Sequence, residues 1–250
     1  MPDRIVELDY GAEKRETAVG NQEHELGDLG MLRDGRSFRY YFADGAVTSG
    51  KLLQNPPAAA GHDMDLVTAV TAVGATSITV TLGAGAVTKD LYKDGYIYTN
   101  DATGEGQLFK IGTHAANDAS TTFAVPIQDE GGVRTALDAT TLCGLMQNPW
   151  NHVVVAPTTF TGSVAGATTT DRADNTFGWA QRTGRAALLI KGTVVRGERV
   201  RRADSTTTDV PGAVEQVLHS DDDEGQDVGT CDNIIAVTTD YGVIDMTLNV

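Results

Sequence analysis

Glycine interrupts this chain at short intervals, several times as an Asp-Gly pair, and the runs between are rich in threonine and valine. Of 250 residues, 28 are Gly, 32 Thr and 24 Val. Thr and Val are stiff at χ1 and suit a pleated surface better than a helix, and Asp-Gly supplies tight hairpin turns. No stretch rich in Leu, Glu, Lys and Ala repeats with a period of 3.6 residues. These features predict an all-β protein: a β-sandwich or barrel-like body of short antiparallel strands, with an extended N-terminal arm and an inserted β module.

Charge narrows the partners. Lys and Arg total 19 against 34 Asp and Glu, for a net charge of -15. A chain so acidic lacks the basic face that nucleic acid or an anionic membrane requires. No run reaches the length of a membrane helix, and residues 1–25 carry charges where a signal peptide would be apolar. The expectation is synthesis and folding in cytoplasm. Two cysteines, Cys143 and Cys231, are too few for a disulfide framework; they read as buried free thiols, with a single pairing left open.

Four segments emerge. Residues 1–37 hold few apolar residues in no sustained period, as in a segment that is either a disordered terminus or ordered against something else. Phe38, Tyr40 and Phe42 alternate up to Asp44-Gly45, and Val47–Leu53 leads back, predicting a hairpin. Asn55-Pro56-Pro57 then breaks the pattern. Residues 63–148 read as an inserted module: Val67, Val70 and Val73 favour a strand through their β-branching, and Ile78, Val80 and Leu82 alternate strictly. Tyr96 and Tyr98 share a face, while Phe109 and Ile111 oppose Leu108 and Lys110. Residues 149–250, with five or six strands, complete a main body begun at 38–62.

FGWAQRTGRAALLIKGTVVRGERV at 177–200 resembles decoration (cement) proteins of tailed-bacteriophage capsids. The resemblance rests on Phe177, Gly178, Trp179 and Gln181 in a strand, then a turn, an apolar strand, and Gly192-Thr193-Val194. The closing VIDMTLNV, the opening DGRSFRYYFADGAVTSGKLLQ and GYIYTNDATGEGQ of the inserted module are also similar. The resemblance implies a non-enzymatic protein of the virion's outer capsid surface, made in a bacterial host. It also implies a homotrimer that binds the major capsid protein and locks neighbouring subunits. Segment 1–37 becomes a capsid-binding arm, with Arg4, Ile5, Leu8, Tyr10, Arg15, Leu26, Leu29 and Arg33 as contact residues. Ordering such an arm costs about 1–2 kcal/mol per residue, which a multivalent surface can offset.

No catalytic, cofactor or metal residue is assigned. His24, His62, His114, His152 and His219 lack metal-ligand spacing. Asp221, Asp222, Asp223, Glu224 and Asp227 read as a solvated acidic turn, since the sixth position from Asp221 is Gln226 where a calcium loop needs Gly. Asp101 and Glu105 resemble a glycosidase pair only as any acidic β protein does. Arg196, Arg199, Arg201 and Arg202 suit either a carboxylate-rich interface or a solvated strand edge. Trp150, Trp179, Tyr96 and Tyr98 are strand aromatics that pack, or else a sugar-stacking platform. That platform defines the competing function, a carbohydrate-binding or host-adhesion module; an acidic hydrolase would need convergent carboxylates of perturbed pKa.

Overall fold

The computed structural model describes residues 5–204, 209–217, 225–235 and 237–248. The chain is all-β, and the 3-10 turn Ala12–Lys14 is the sole helical element among the described residues. It divides into two compact units, Met1–Pro56 with Pro149–Val250, and Pro57–Asn148. The second begins a few residues before the expected start at 63 and takes His62 with it.

The first unit opens with β1 (Ile5–Leu8), β2 (Thr17–Ala18), β3 (Leu29–Leu32), β4 (Ser37–Phe42) and β5 (Leu52–Gln54). The second contains β6 (Leu66–Val67), β7 (Ser77–Thr81), β8 (Tyr96–Asp101), β9 (Leu108–Lys110), β10 (Thr122–Pro126) and β11 (Leu142–Met146). The first unit resumes with β12 (Val154–Val155), β13 (Val164–Ala167), β14 (Thr176–Leu189) and β15 (Arg199–Arg202). It ends with β16 (Val214–Gln216), β17 (Asp227–Cys231) and β18 (Tyr241–Thr247).

β14 organises the first unit. Its early residues pair with β4, Phe177 opposite Phe42 and Gln181 opposite Phe38, and its later ones with β18, Thr183 opposite Thr247 through Leu189 opposite Tyr241. The resemblance to decoration proteins implies two strands and a turn here; the structure has one 14-residue strand with a bulge between Gln181 and Thr183. Gln181 explains the difference. Its buried amide donates to the carbonyls of Thr183, Gly184 and Arg185 at 3.1, 3.1 and 3.0 Å, which ties down the backbone where the pairing with β4 ends. The strand therefore changes partner without reversing.

From β14 the order runs through β18, β17 and β15 to β16. The Leu52 N–H donates to the Gly212 carbonyl beside β16, β5 pairs with β13, and Ala167 of β13 meets Gln181 of β14. This barrel-like circuit encloses Leu52, Val164, Leu188, Ile190, Val200 and Ile244.

The N-terminal expectation is corrected. Described residues 5–37 do not form a separate extended arm: β1 lies parallel to β3, Ile5 opposite Leu29 and Leu8 opposite Leu32, and β3 pairs with β4. Leu8 and Leu32 pack with Phe38, Tyr40, Phe177 and Trp179 in one core. A parallel pair requires a long connection, here residues 9–28, so its two halves show no common period in the sequence. Gly30 permits the packing, because a Cβ there would lie 2.7 Å from Leu8 Cδ1 and 2.8 Å from Trp179 Cζ3.

The expected β4–β5 hairpin is also absent. Gly45 donates its N–H to Asp174 Oδ1 at 2.7 Å and Val47 bridges to Arg172, so the chain after Asp44 follows the loop before β14 instead.

The second unit is a small closed barrel. β6, β11, β8 and β9 pair in that order, β10 pairs with β7, and antiparallel bridges Ile111–Ile127 and Thr68–Val80 join the two sheets on both sides. Ile78, Val80, Leu82, Ile97, Phe109, Ile111, Phe123 and Val125 fill it, as alternation predicts for Ile78, Val80, Leu82, Phe109 and Ile111. Val67, Val70 and Val73 do not make one strand. Only Leu66–Val67 is extended in β6, and the three valines point outward while Leu66, Thr68 and Thr71 turn inward.

Both cysteines are free and buried, Cys143 in the barrel and Cys231 in the first unit. Burial pushes the Cys143 thiol up to about 12. At pH 8 its thiolate fraction is then on the order of 10⁻⁴, and the thiolate is the reactive species. Ellman's reagent is expected to leave native protein unmodified and to titrate two thiols in urea. A fast-reacting native thiol, or none after denaturation, would contradict this arrangement.

Candidate functional site

A pocket of about 210 Å³ lies in the first unit, between the β1–β4–β14 region and the excursion from Asp9 to His24. Its aromatic wall is Tyr40 from β4 and Trp179 from β14, both almost fully buried, with Val6 and Leu8 of β1 beside them. The rings are already engaged: Tyr40 stacks on Phe177, and the half-buried His24 ring sits 5.1 Å from Tyr40 and 5.0 Å from Trp179. The Tyr40 hydroxyl lies 3.1 Å from Thr17 Oγ1, which fixes the excursion over the wall.

Around this wall stand the exposed carboxylates of Glu7, Asp9 and Glu23, with the guanidinium of Arg15. Among the described residues none of these four makes a side-chain ion pair. A charged rim on an aromatic wall offers acceptors and donors together in a small volume.

The excursion is anchored from below. Arg172, 3% exposed, sends Nη1–H to the Arg15 carbonyl at 2.5 Å and Nη2–H to the Glu13 carbonyl at 2.9 Å. Its guanidinium crosses β14 at Gly178, where a Cβ would lie 2.2 Å from Arg172 Cζ. Beside it, burial pushes the Tyr41 hydroxyl up to about 12, partly opposed by the Arg172 charge.

The predicted contact residues fall in different environments. Ile5, Tyr10, Arg15 and Arg33 are exposed, Leu26 and Leu29 are half-buried, and Leu8 is core. Arg4 lies outside the described residues. The pocket gathers Arg15 and Leu8 from this set. Glu23 and His24 escape sequence reasoning, because only the fold of the excursion brings them to Trp179; no local spacing marks them.

The arginine cluster is divided: Arg201 and Arg202 are buried, while Arg196 and Arg199 are exposed. Arg201 lies 3.4 Å from Asp204 and 3.2 Å from Glu215, and Lys191 lies 3.1 and 2.9 Å from the same two carboxylates. Burial works against the Lys191 ammonium, but hydrogen bonds and charge from Glu215 and Asp204 outweigh it and hold its pKa above the ordinary value. Arg202 donates to carbonyls of Pro157, Thr159 and Gly162, its guanidinium 4.7 Å from the Phe160 ring. Arg201 and Arg202 thus fit neither an open interface nor a solvated edge. Arg199, exposed, pairs with Asp227 at 3.0 Å.

No group of three His, Cys, Asp or Glu able to hold a metal occurs among the described residues, and Asp221–Glu224 and His219 lie outside them. His62 and His114 are buried with both ring nitrogens engaged: Nδ1 of His62 is 2.8 Å from the Tyr92 hydroxyl, and Nε2 of His114 accepts the Tyr92 N–H at 3.0 Å. The four aromatics of the supposed platform are divided, Trp150 and Trp179 in the first unit and Tyr96 and Tyr98 in the second, and Trp179 is core. No protein family, curated protein or solved structure matches the chain.

Proposed function

We propose that this chain is a structural, non-enzymatic virion protein that binds the outer surface of a phage capsid and stabilises contacts between major capsid subunits, as a homotrimer. The observation that carries the reading is where the resemblance to decoration proteins falls. Phe177, Gly178, Trp179 and Gln181 occupy the strand on which the first unit is built. Trp179 fills a core, Gly178 admits Arg172, and Gln181 holds the bulge. The similar residues are thus those that specify the fold.

With β1 and β3 in the sheet, capsid contact is assigned to exposed side chains of that segment, among them Ile5, Tyr10, Arg15 and Arg33, acting on a formed surface. A preformed surface avoids most of the ordering cost of a flexible arm.

Purified chain mixed with shells of its own phage lacking it is expected to co-sediment saturably and to raise the temperature at which the shells rupture. Free in solution it should scatter light with three times the mass of one chain. Failure to co-sediment would overturn the capsid reading, and a monomeric mass would overturn the trimer.

A further inference from the structure

The geometry points to a self-modification site in the first unit: an isopeptide bond between the Lys191 side-chain amine and the Asp204 side-chain carboxyl, formed by the folded chain with release of one water. This goes beyond the capsid reading and does not depend on it.

The first ground is proximity in a dry place. Lys191 follows β14, Asp204 follows β15 and Glu215 lies within β16. Backbone bonds fix them: the Lys191 N–H donates to the Val214 carbonyl at 2.8 Å, and the Ala203 N–H to the Ala213 carbonyl at 3.0 Å. The three side chains are withdrawn from water, with Lys191 5% exposed, Asp204 16% and Glu215 13%. Lys191 Nζ lies 3.1 Å from Asp204 Oδ1 and 2.9 Å from Glu215 Oε2. It also donates to the Asp204 main-chain carbonyl at 2.7 Å. An amine seated in this way against a carboxyl meets its partner without a search. Exclusion of water also favours condensation over the hydrolysis that bulk water imposes.

The second ground is the charge of the cluster. Arg201 Nη2 lies 3.4 Å from Asp204 Oδ2 and its Nε 3.2 Å from Glu215 Oε1, so two cations and two anions share one buried site. Buried ions are costly even when paired. Condensation removes one of each sign and leaves Arg201 facing Glu215.

The step balances within these four residues. Burial works against the Lys191 ammonium, but hydrogen bonds and charge from Glu215 and Asp204 prevail, so the lysine starts charged. A first proton passes from Nζ to Glu215 Oε2. The freed nitrogen lone pair attacks Asp204 Cγ, the N–C bond forms, and negative charge gathers on the Asp204 oxygens beside the Arg201 guanidinium. Glu215 hands its proton to one of those oxygens, takes the second from nitrogen and hands that on too. The C–O bond then breaks and water departs. Nitrogen loses two protons, the departing oxygen carries two, and Glu215 returns to carboxylate. Glu215 serves as the relay because it reaches both sides, Oε2 at Nζ and Oε1 accepting the Asp204 N–H at 3.3 Å.

The test is electrospray mass spectrometry of the full chain, kept folded at neutral pH and then denatured and reduced. The reading is expected about 18 Da below the mass the sequence requires, the loss of one water. Trypsin should leave the Lys191 peptide joined to residues 203–250, which hold no Lys or Arg, and fragmentation should place the link on Asp204. Glu215→Gln keeps the size of the side chain and is expected to show its full sequence mass with a cooperative melt. Lys191→Arg should also show its full mass. The full sequence mass in the unaltered protein, or a link on Glu215, would overturn the proposal. So would a deficit that persists in Lys191→Arg, since dehydration at an Asp-Gly pair loses the same mass, and a deficit in Glu215→Gln would overturn the relay. Capsid shells are not needed, so this result stands or falls apart from co-sedimentation.

Discussion

Deleting residues 1–37 is expected to unfold the first unit, not merely to trim it. The deletion removes Leu8 and Leu32 from the core they share with Phe38, Tyr40, Phe177 and Trp179. Each buried leucine alone is worth about 2–5 kcal/mol, against about 5–15 kcal/mol for a whole domain. It also strips Arg172 of its two carbonyl acceptors, leaving a buried guanidinium short of partners. Near-ultraviolet circular dichroism and a thermal melt of residues 38–250 should show the first unit's cooperative transition lost, with one transition remaining for the Pro57–Asn148 barrel. Retention of both transitions would show that β1 and β3 are dispensable.

Gly178→Ala is expected to cost about 3 kcal/mol or more, a large effect for one methyl group. Its Cβ would lie 2.2 Å from Arg172 Cζ and 2.3 Å from Nε, so the guanidinium must leave its seat. Displacing it leaves a buried charge unpaired, a loss of about 3–5 kcal/mol. The cause can be separated from any general dislike of Ala in this strand. If the clash with Arg172 is responsible, Gly178→Ala should add little once Arg172→Ala has removed the side chain. Chemical denaturation of the two single variants and the double variant measures this directly. Additive losses, or a Gly178→Ala cost below about 1 kcal/mol, would sink the explanation.

Alternation made much of the fold legible before any coordinates. Ile78, Val80 and Leu82 announce β7 because neighbouring side chains in a strand face opposite ways, and the structure buries all three. Phe109 and Ile111 are read equally well. What alternation does not carry is pairing between distant segments. Ile5–Leu8 and Leu29–Leu32 look too sparse for a core taken singly; joined in parallel across twenty residues they complete one. Arg201 and Arg202 look like surface for a similar reason. Their partners come from elsewhere in the chain: Glu215 from the paired strand β16, and the Pro157 and Gly162 carbonyls from the loop between β12 and β13. Asp44-Gly45 misled differently, since its turn chemistry was used to meet Asp174 and not to fold β4 back on β5.

The candidate pocket was less legible than the fold. Glu7, Asp9 and Arg15 appear in the sequence as charges of mixed sign in an apparently featureless stretch. Glu23 and His24 sit fourteen and fifteen residues beyond Asp9, at the far end of the same excursion. Tyr40 and Trp179 stood out as strand residues, which they are, and Leu8 and Arg15 only as residues of a supposed arm.

The circular pairing of the Pro57–Asn148 unit has a consequence for crowding. Strands with vacant N–H and C=O groups along one side invite the same strand of a neighbouring molecule to add on, the first step of β-mediated aggregation. Six strands joined in a ring leave no such side, so copies held at high local concentration can meet through this unit only by side-chain contact. A dense coat of them would stay a layer of discrete particles and not knit into fibres.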